Sequence, residues 1–418
     1  MDENSGLIID CDEKKNALRN LFKNSKVAFI YGAAGTGKST MINYISSLFK
    51  DKQKIFLANT NPAVENLRRK VTAEHAEFVT ITKFLSKDVS NDCDILCLDE
   101  CSTISNRDMV RVLQRAQCKL LVLVGDIYQI ESILFGNWFN IAYKVMPKDS
   151  VAELTRPHRT TVQGLIEVWN KVREITEDRL EFITRNGLSS TLDESIFSRT
   201  EEDEIVLCLN YDGIYGINNI NKFLQSNNVN PSINWGVLSY KVGDPVLFNE
   251  SNRFAPLVYN NLKGKILQIE EEEDCIYFTI EVYTVLNELD VIGFDLELKE
   301  SVTDETSVIR FKVGRGGDGN DDNDNVENVV PFQVAYAISI HKAQGLEYES
   351  VKVVITSEIE EMVSHNIFYT AITRAKSKLK IYWSPETEKR ILENMKVQFN
   401  DKDYQLFKAK YKEALLKS

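Results

Sequence analysis

The amino-acid sequence predicts an α/β fold, with two parallel-sheet domains and a small β-barrel inserted in the second. Three observations predict it. Short apolar runs alternate with helical patterns through the first third, β-rich segments with turn signals fill Tyr240 to Arg315, and an α/β texture returns at Phe332 to Ile340. At 418 residues the chain exceeds one compact core and suggests roughly three units.

The first third reads as strand Val27 to Ile30 and a helix from Ser39, strand Ile55 to Leu57 and helix Pro62 to Val71, then strands Ile95 to Leu98 and Leu120 to Val124. Alternation of this kind implies a parallel sheet wrapped by helices. Thr160 to Asn186 is polar with helical period and reads as a connector over the surface; a second set of strands begins at Ile205 to Leu209. Segments Val242 to Phe248, Lys265 to Ile269, Ile276 to Tyr283 and Val308 to Val313 compose the expected barrel. The domain boundaries expected are 1–153, 154–239 with 326–418, and 240–325 for the insert. The stretch Gly314 to Asn325 is an acidic loop and not a calcium loop: an EF-hand count from Asp318 puts Asn323 at the turn-glycine position and Val329 at the bidentate acid.

Composition narrows the function classes. With 43% hydrophobic and 27% charged residues, the chain is an ordinary globular protein. A net charge of -12 argues against coating nucleic acid by bulk electrostatics, so any nucleic-acid site is a local groove. No stretch approaches the run of about 18 apolar residues that spans a bilayer, and MDENSGLIID lacks signal-peptide character, so a cytoplasmic protein without a membrane partner is expected. Seven scattered cysteines fit reduced thiols; Cys93, Cys97 and Cys101 read as core or surface thiols rather than metal ligands, because the apolar run between them is a strand.

The segment VAFIYGAAGTGKST carries the complete phosphate-loop pattern, between an apolar strand and a helix. Gly32, Gly35 and Gly37, with Ala33, Ala34 and Thr36, turn backbone N–H groups toward phosphates, Lys38 adds a point charge, and Ser39, followed by Thr40, offers a hydroxyl to magnesium. The strand DILCLDE ends in Asp99 and Glu100, at the sheet edge where ligands bind. Asp99 suits a magnesium ion held through water, and Glu100 suits a base that deprotonates attacking water. A further strand, KLLVLVGD, ends in Asp126 and leads to Gln129, whose amide could sense the γ-phosphate. Alone, the acidic pair is a solvated strand end and GDIYQ a turn; the phosphate loop makes the functional reading the better one.

The order of these elements, followed by LTRPHRT, AISIHKAQGLEYESV and FYTAITRAK, resembles the superfamily 1 helicases, especially their RecD-like and Dda-like branch, over nearly the whole chain. The resemblance implies two RecA-like domains that close over ATP and magnesium, with Arg159 and Arg374 of the second domain neutralising charge on the transferred phosphate. It implies that Glu347, with Gln344 and Gly345 shaping its loop, contacts the nucleotide sugar, and that His341 and Lys342 link the nucleic-acid track to the ATP site. It places Thr60, Thr80 and Thr82 on the track, with Arg68 and Arg69 nearby, where hydroxyls and amides position a backbone without reading sequence. As isolated residues, the arginines would be surface charges. YKVGDPVLFNE and YNNLKGKILQI resemble a Src-homology-3-like barrel, which by resemblance favours 5′ to 3′ movement of a monomeric motor on single-stranded nucleic acid, DNA ahead of RNA.

Three departures stand out. Lys14 occupies the position where a glutamine reads adenine in the family, and Thr82 replaces a histidine. Only SKDVSNDCD separates Leu85 from Ile95, where relatives place a strand-splitting hairpin, so translocation is expected ahead of autonomous unwinding, with strand separation or targeting left to a protein partner. The rival classes are a nucleotide-driven switch with a vestigial track, and a nuclease; for the latter, no unaccounted carboxylate or cysteine cluster stands in the sequence.

Overall fold

The computed structural model describes residues 12–21, 26–86, 91–129, 137–249, 253–255, 257–301, 303–315, 328–396 and 401–417. They form two compact units: Met1–Asn186 with Glu361–Ser377 and Arg390–Ser418, and Gly187–Glu360 with Lys378–Lys389.

The first unit opens with helix α1 (Asp12–Leu21), then strand β1 (Val27–Gly32), helix α2 (Lys38–Leu48), β2 (Lys54–Ala58), α3 (Asn61–Lys70), β3 (Ala76–Thr80), the short α4 (Ile81–Leu85), β4 (Asp92–Leu98), β5 (Gln117–Gly125) and β6 (Val151–Leu154). The strands form one sheet in the order β3-β2-β4-β5-β1-β6, every pair parallel. Because side chains alternate between faces, consecutive apolar residues feed two cores. Ala28, Ile30, Phe56 and Val122 pack with α2 and α3, while Phe29, Ile55, Leu57 and Leu123 face Phe84, Met109 and Phe139. A parallel sheet aligns its strand ends, so the residues after β1, β2, β3, β4 and β5 emerge along one edge.

The stretch Thr160 to Asn186 differs from the expected surface connector. It forms helices Gln163–Glu174 and Arg179–Arg185, and the first buries Leu165, Val168, Trp169 and Val172 in the unit, with Trp169 Nε1 donating to Ile372 O at 3.0 Å. Its polar residues cover only the outer stripe of an amphipathic helix.

The second unit holds β7 (Ser189–Ser190), β8 (Glu204–Cys208), β9 (Ser232–Trp235), β10 (Leu238–Lys241), β11 (Pro245–Phe248), β12 (Lys263–Glu271), β13 (Cys275–Val282), β14 (Glu297–Lys299), β15 (Ser307–Gly314), β16 (Phe332–Val334), β17 (Ala337–Ser339) and β18 (Tyr348–Val354), and is completed by β19 (Ala375–Tyr382). One sheet, β17-β8-β18-β19-β7, contains the parallel pairs β17/β8, β18/β8 and β19/β7. A second, β14-β15-β13-β12-β11-β16, is antiparallel, and β9 and β10 form an antiparallel pair of their own. Along β13 burial alternates residue by residue, with Ile276, Phe278, Ile280 and Val282 inward, as expected of an antiparallel strand with one covered face.

Strand β11 starts at Pro245 rather than Val242. Gly243 takes φ +88 and Asp244 N donates to Lys241 O at 3.1 Å, a turn before the strand. The buried Asp244 carboxylate fixes it, accepting from Lys241 N, Gln225, Asn228 and Tyr336. Of the acidic loop, only Gly314 and Arg315 lie within the described residues. Among the described residues no helix is long and apolar enough to cross a membrane.

Candidate nucleotide site

The phosphate loop spans the turn from β1 to α2. Gly37 at φ +80 and Gly35 at φ +75 take left-handed backbone that only glycine adopts without strain. A methyl group on Gly35 would stand 2.4 Å from Arg159 Cβ, so LTRPHRT lies directly against the loop; His158 N donates to Gly35 O at 2.6 Å. Helix α1 is tied to that segment by Glu13, whose Oε1 accepts from both N and Oγ1 of Thr155 at 2.7 Å. The Lys38 ammonium donates to Gly32 O (2.8 Å) and Ala33 O (2.9 Å). Burial pulls its pKa below the ordinary lysine value, against the attraction of Asp126 and Asp99. Thr36 Oγ1 closes the turn on Ala33 O at 2.9 Å. Ser39 and Thr40 follow on the first turn of α2.

Asp99 and Glu100 stand at the end of β4. Asp99 is buried, and its Oδ1 accepts from Glu100 N at 2.8 Å. Burial raises its pKa; the Glu100 amide and Lys38 oppose the rise. Glu100 takes φ 51, a left-handed conformation that costs a non-glycine residue about 1 to 2 kcal/mol. Burial and then the Asp99 charge push its carboxyl up to about 7, with Arg374 and Lys38 pulling the other way. A glutamate poised near neutrality suits proton abstraction from water.

Asp126, 1% exposed, accepts from Tyr128 N at 3.0 Å through Oδ1, while Oδ2 is a buried oxygen without a hydrogen-bond partner. Burial raises its pKa, against Lys38. Gln129 N donates to Asp126 O at 3.4 Å, setting the glutamine at the same strand end. Asp99, Asp126 and the Ser39 hydroxyl at the start of α2 are oxygen donors of the type magnesium takes, and the buried, unpartnered Asp126 Oδ2 is an oxygen that a cation would satisfy, so the residue types fit the ion.

Both arginines, expected from the second domain, lie in the same compact unit as the loop. Arg159 Nη1 donates to Thr373 O at 2.7 Å. Arg374, 2% exposed, donates Nε to Thr370 O at 2.9 Å, and its charge bears on Glu100, Lys38 and Asp126. Helix His365–Ile372 also brings Tyr369, which sequence reasoning did not single out; its hydroxyl accepts from Ala34 N at 3.4 Å. The only sequence signal for Tyr369 is its place in FYTAITRAK.

The remaining expected residues lie elsewhere. Thr60 and Thr80 follow β2 and end β3, adjacent strands paired Ala58 to Thr80, so both sit on the edge that carries the phosphate loop. Each hydroxyl caps a helix, Thr60 accepting from Ala63 N at 3.4 Å and Thr80 from Lys83 N at 3.3 Å. A capping hydroxyl still has a proton to donate. Thr82 is exposed on α4. Arg68 Nη2 donates to Phe78 O at 3.3 Å and pairs with Glu65. In the second unit, His341 is exposed just after β17 and Lys342 Nζ donates to Gln333 Oε1 at 2.8 Å. Gly345 turns the chain at φ +80, and Glu347 O accepts from Lys263 Nζ at 3.3 Å. Lys14, 1% exposed, places its ammonium 2.9 Å from where a Gly37 Cβ would stand. Cys93, Cys97 and Cys101 are buried, and burial pushes each thiol up.

A parallel sheet, a phosphate loop and two carboxylates at the sheet edge are the architecture of a phosphate-loop nucleotide-binding domain. Family models described as an AAA domain and a UvrD-like helicase C-terminal domain match residues 11–193 and 334–382. An uncharacterised protein of Methanocaldococcus jannaschii is 24% identical over 88% of this chain and 37% of its own length. The RecBCD enzyme subunit RecD of Buchnera aphidicola is 22% identical over 90% of this chain and 76% of its own. The ATP-dependent DNA helicase Pif1 of Campylobacter jejuni is 23% identical, with coverages of 85% and 88%. In fold, the chain is similar to Bacteroides Pif1 in complex with ADP-AlF3 and ssDNA (TM-score 0.55, 16% identity, 97% and 98% covered) and to Candida albicans Pif1 (0.53, 18%, 93% and 99%). These matches support a superfamily 1 helicase of the RecD/Pif1 branch. It spans little more than a third of the archaeal relative's length.

Proposed function

We propose that the chain is an ATP-dependent translocase or helicase that tracks single-stranded nucleic acid, DNA ahead of RNA, in the 5′ to 3′ direction. The observation that carries this is the grouping of Lys38, Asp99, Glu100, Asp126, Arg159 and Arg374 around one phosphate loop in one unit. In this reading Lys38 and the loop amides hold the outer phosphates, and Gln129 senses the terminal one. Glu100 takes a proton from the attacking water, and Arg159 and Arg374 absorb charge on the transferred phosphoryl group. Ser39 and Asp99 would hold magnesium, which would supply positive charge there. By resemblance Gly345 and Glu347 take the family's sugar-contacting role. Thr60, Thr80 and Thr82, and separately His341 and Lys342, take nucleic-acid contacts, and the shared sheet edge of Thr60 and Thr80 with the phosphate loop supports that reading for these two threonines.

The proposal includes a monomeric motor located in the cytoplasm, a Src-homology-3-like insert over 240–325, and RecA-like domains over 1–153 and over 154–239 with 326–418. The short chain between Leu85 and Ile95 supports translocation without autonomous strand separation; its residues 87–90 lie outside the described residues. Efficient unwinding of a forked duplex by the chain alone would overturn that part.

The test is the steady-state ATPase rate with and without single-stranded DNA and RNA, with Lys38→Ala as blank. Strong stimulation by one polymer supports the motor and names its track. A rate indifferent to both supports a second reading, a partner-controlled nucleotide switch, which the net charge of -12 favours.

A further inference from the structure

Tyr369 lies in the same compact unit as the phosphate loop. It sits on helix His365–Ile372 with its side chain fully buried, and its hydroxyl accepts from Ala34 N at 3.4 Å. Ala34 N belongs to the phosphate loop, and the backbone amides of such loops are the groups that hold phosphate oxygens. The phenol oxygen therefore stands at the binding edge of the loop. Consecutive residues are about 3.8 Å apart along the chain, so an oxygen on the Ala34 amide is within reach of a phosphate oxygen held by the neighbouring amides.

The phenol is held in that place from two sides. Its ring packs on His365, with centroids 6.3 Å apart, and meets Tyr128 edge-on at 6.2 Å, while His365 Nε2 lies 2.8 Å from Val172 O. Its carbonyl accepts from Thr373 N at 3.1 Å and Thr373 Oγ1 at 2.9 Å, and Thr373 O in turn accepts from Arg159 Nη1 at 2.7 Å. One turn of chain thus carries both the phenol and the carbonyl that holds Arg159. A group set this firmly loses little freedom when a ligand arrives.

The chemistry of the hydroxyl fits one role. An oxygen that accepts from Ala34 N keeps its own proton to donate. Burial, and then the Asp126 charge, push the phenol above the ordinary tyrosine value, so it remains a donor at neutral pH. Asp126 and Arg159 bear on this phenol and on the Lys38 ammonium alike, which puts Tyr369 on the side of the loop assigned to the outer phosphates.

We propose that Tyr369 contacts the terminal phosphate of the nucleotide, donating its O–H to an oxygen that a diphosphate lacks, and so distinguishes ATP from ADP. This rests on the reading of the loop as an ATP site.

The test measures the affinities of ADP and of the β,γ-imido analogue of ATP, both with magnesium, by titration calorimetry on the full chain and on its Tyr369→Phe and Lys38→Ala variants. Tyr369→Phe is expected to weaken the analogue about tenfold, the loss of one hydrogen bond to a charged group, and to leave ADP within about twofold. Lys38→Ala is expected to weaken both. If Tyr369→Phe weakens both nucleotides alike or changes neither, the phenol only supports the loop and the contact is overturned. Tighter binding of both makes the phenol a competitor for the Ala34 amide and overturns it as well. Should Tyr369→Phe not fold, 3-fluorotyrosine at position 369 carries the test: its fluorine resonance is expected to shift with the analogue and not with ADP, and an equal response to both, or none to either, overturns the proposal. A wild-type chain that binds neither nucleotide removes the ATP site itself and the inference with it.

Discussion

Replacing Gly35 by alanine tests the architecture of the site in a single methyl group. The residue sits at φ +75, where a side chain costs about 1 to 2 kcal/mol. The new Cβ would lie 2.4 Å from Arg159 Cβ and 3.2 Å from Arg159 N, so backbone as well as side chain must give, at a further cost of about 1 to 3 kcal/mol. The sum, about 2 to 5 kcal/mol, falls on the first unit and should lower its melting midpoint on the order of 10 °C. Turnover should fall further than stability. Relief of the clash moves Arg159 off the loop, and a displacement of about 1 Å in such a group can cost on the order of a hundredfold in rate. The assay pairs thermal denaturation with ATP hydrolysis, using Gly164→Ala as control. Gly164 lies in a helix with nothing within 4 Å of its would-be Cβ, so alanine there is expected to leave the rate unchanged and to raise stability by a few tenths to about 1 kcal/mol. A Gly35→Ala protein with wild-type midpoint and turnover would refute the packing of Arg159 on the loop.

Four further outcomes follow from the same site and core. Glu100, pushed up to about 7, must be ionised to accept a proton, so hydrolysis should rise with pH through about 7 and level off above it; Glu100→Gln should bind nucleotide with a rate near the Lys38→Ala blank at every pH. Because its folded-state value lies above the ordinary 4.5, the ionised carboxylate opposes folding increasingly as pH rises from 4.5 to about 7, and Glu100→Gln should be at least as stable as wild type at pH 8 in denaturant titrations. Arg374→Ala should cut turnover by about a thousandfold while fluorescent-nucleotide titration still reports binding; normal turnover would remove Arg374 from the charge-neutralising role. Lys54, 2% exposed, donates to the carbonyls of Lys50, Lys52 and Glu74 at 3.0, 2.7 and 2.9 Å, so Lys54→Met should destabilise the first unit by about 2 to 4 kcal/mol in urea titration without changing kcat per folded molecule.

The parallel-sheet architecture and the placing of Asp99 and Glu100 at a strand end were legible in the sequence because each is local. An apolar run, a glycine turn and a helix start specify strand-loop-helix within a few residues of Lys38, and β4 delivers Asp99 and Glu100 to the sheet edge simply by ending there. Helix periodicity in Thr160 to Asn186 was equally legible, but which stripe is buried was not, because the partner of Trp169 is Ile372, far along the chain. The turn that delays β11 to Pro245 depends on a buried Asp244 whose partners include Gln225 and Tyr336. Only the tertiary structure decided that Arg159 packs on Gly35 and reaches Thr373 across 214 residues, that Tyr369 meets Ala34 across 335, and that Lys263 reaches Glu347. Sequence determines local conformation through steric preference and periodicity. Contacts between distant segments are selected by the packing of whole faces, which no single segment encodes.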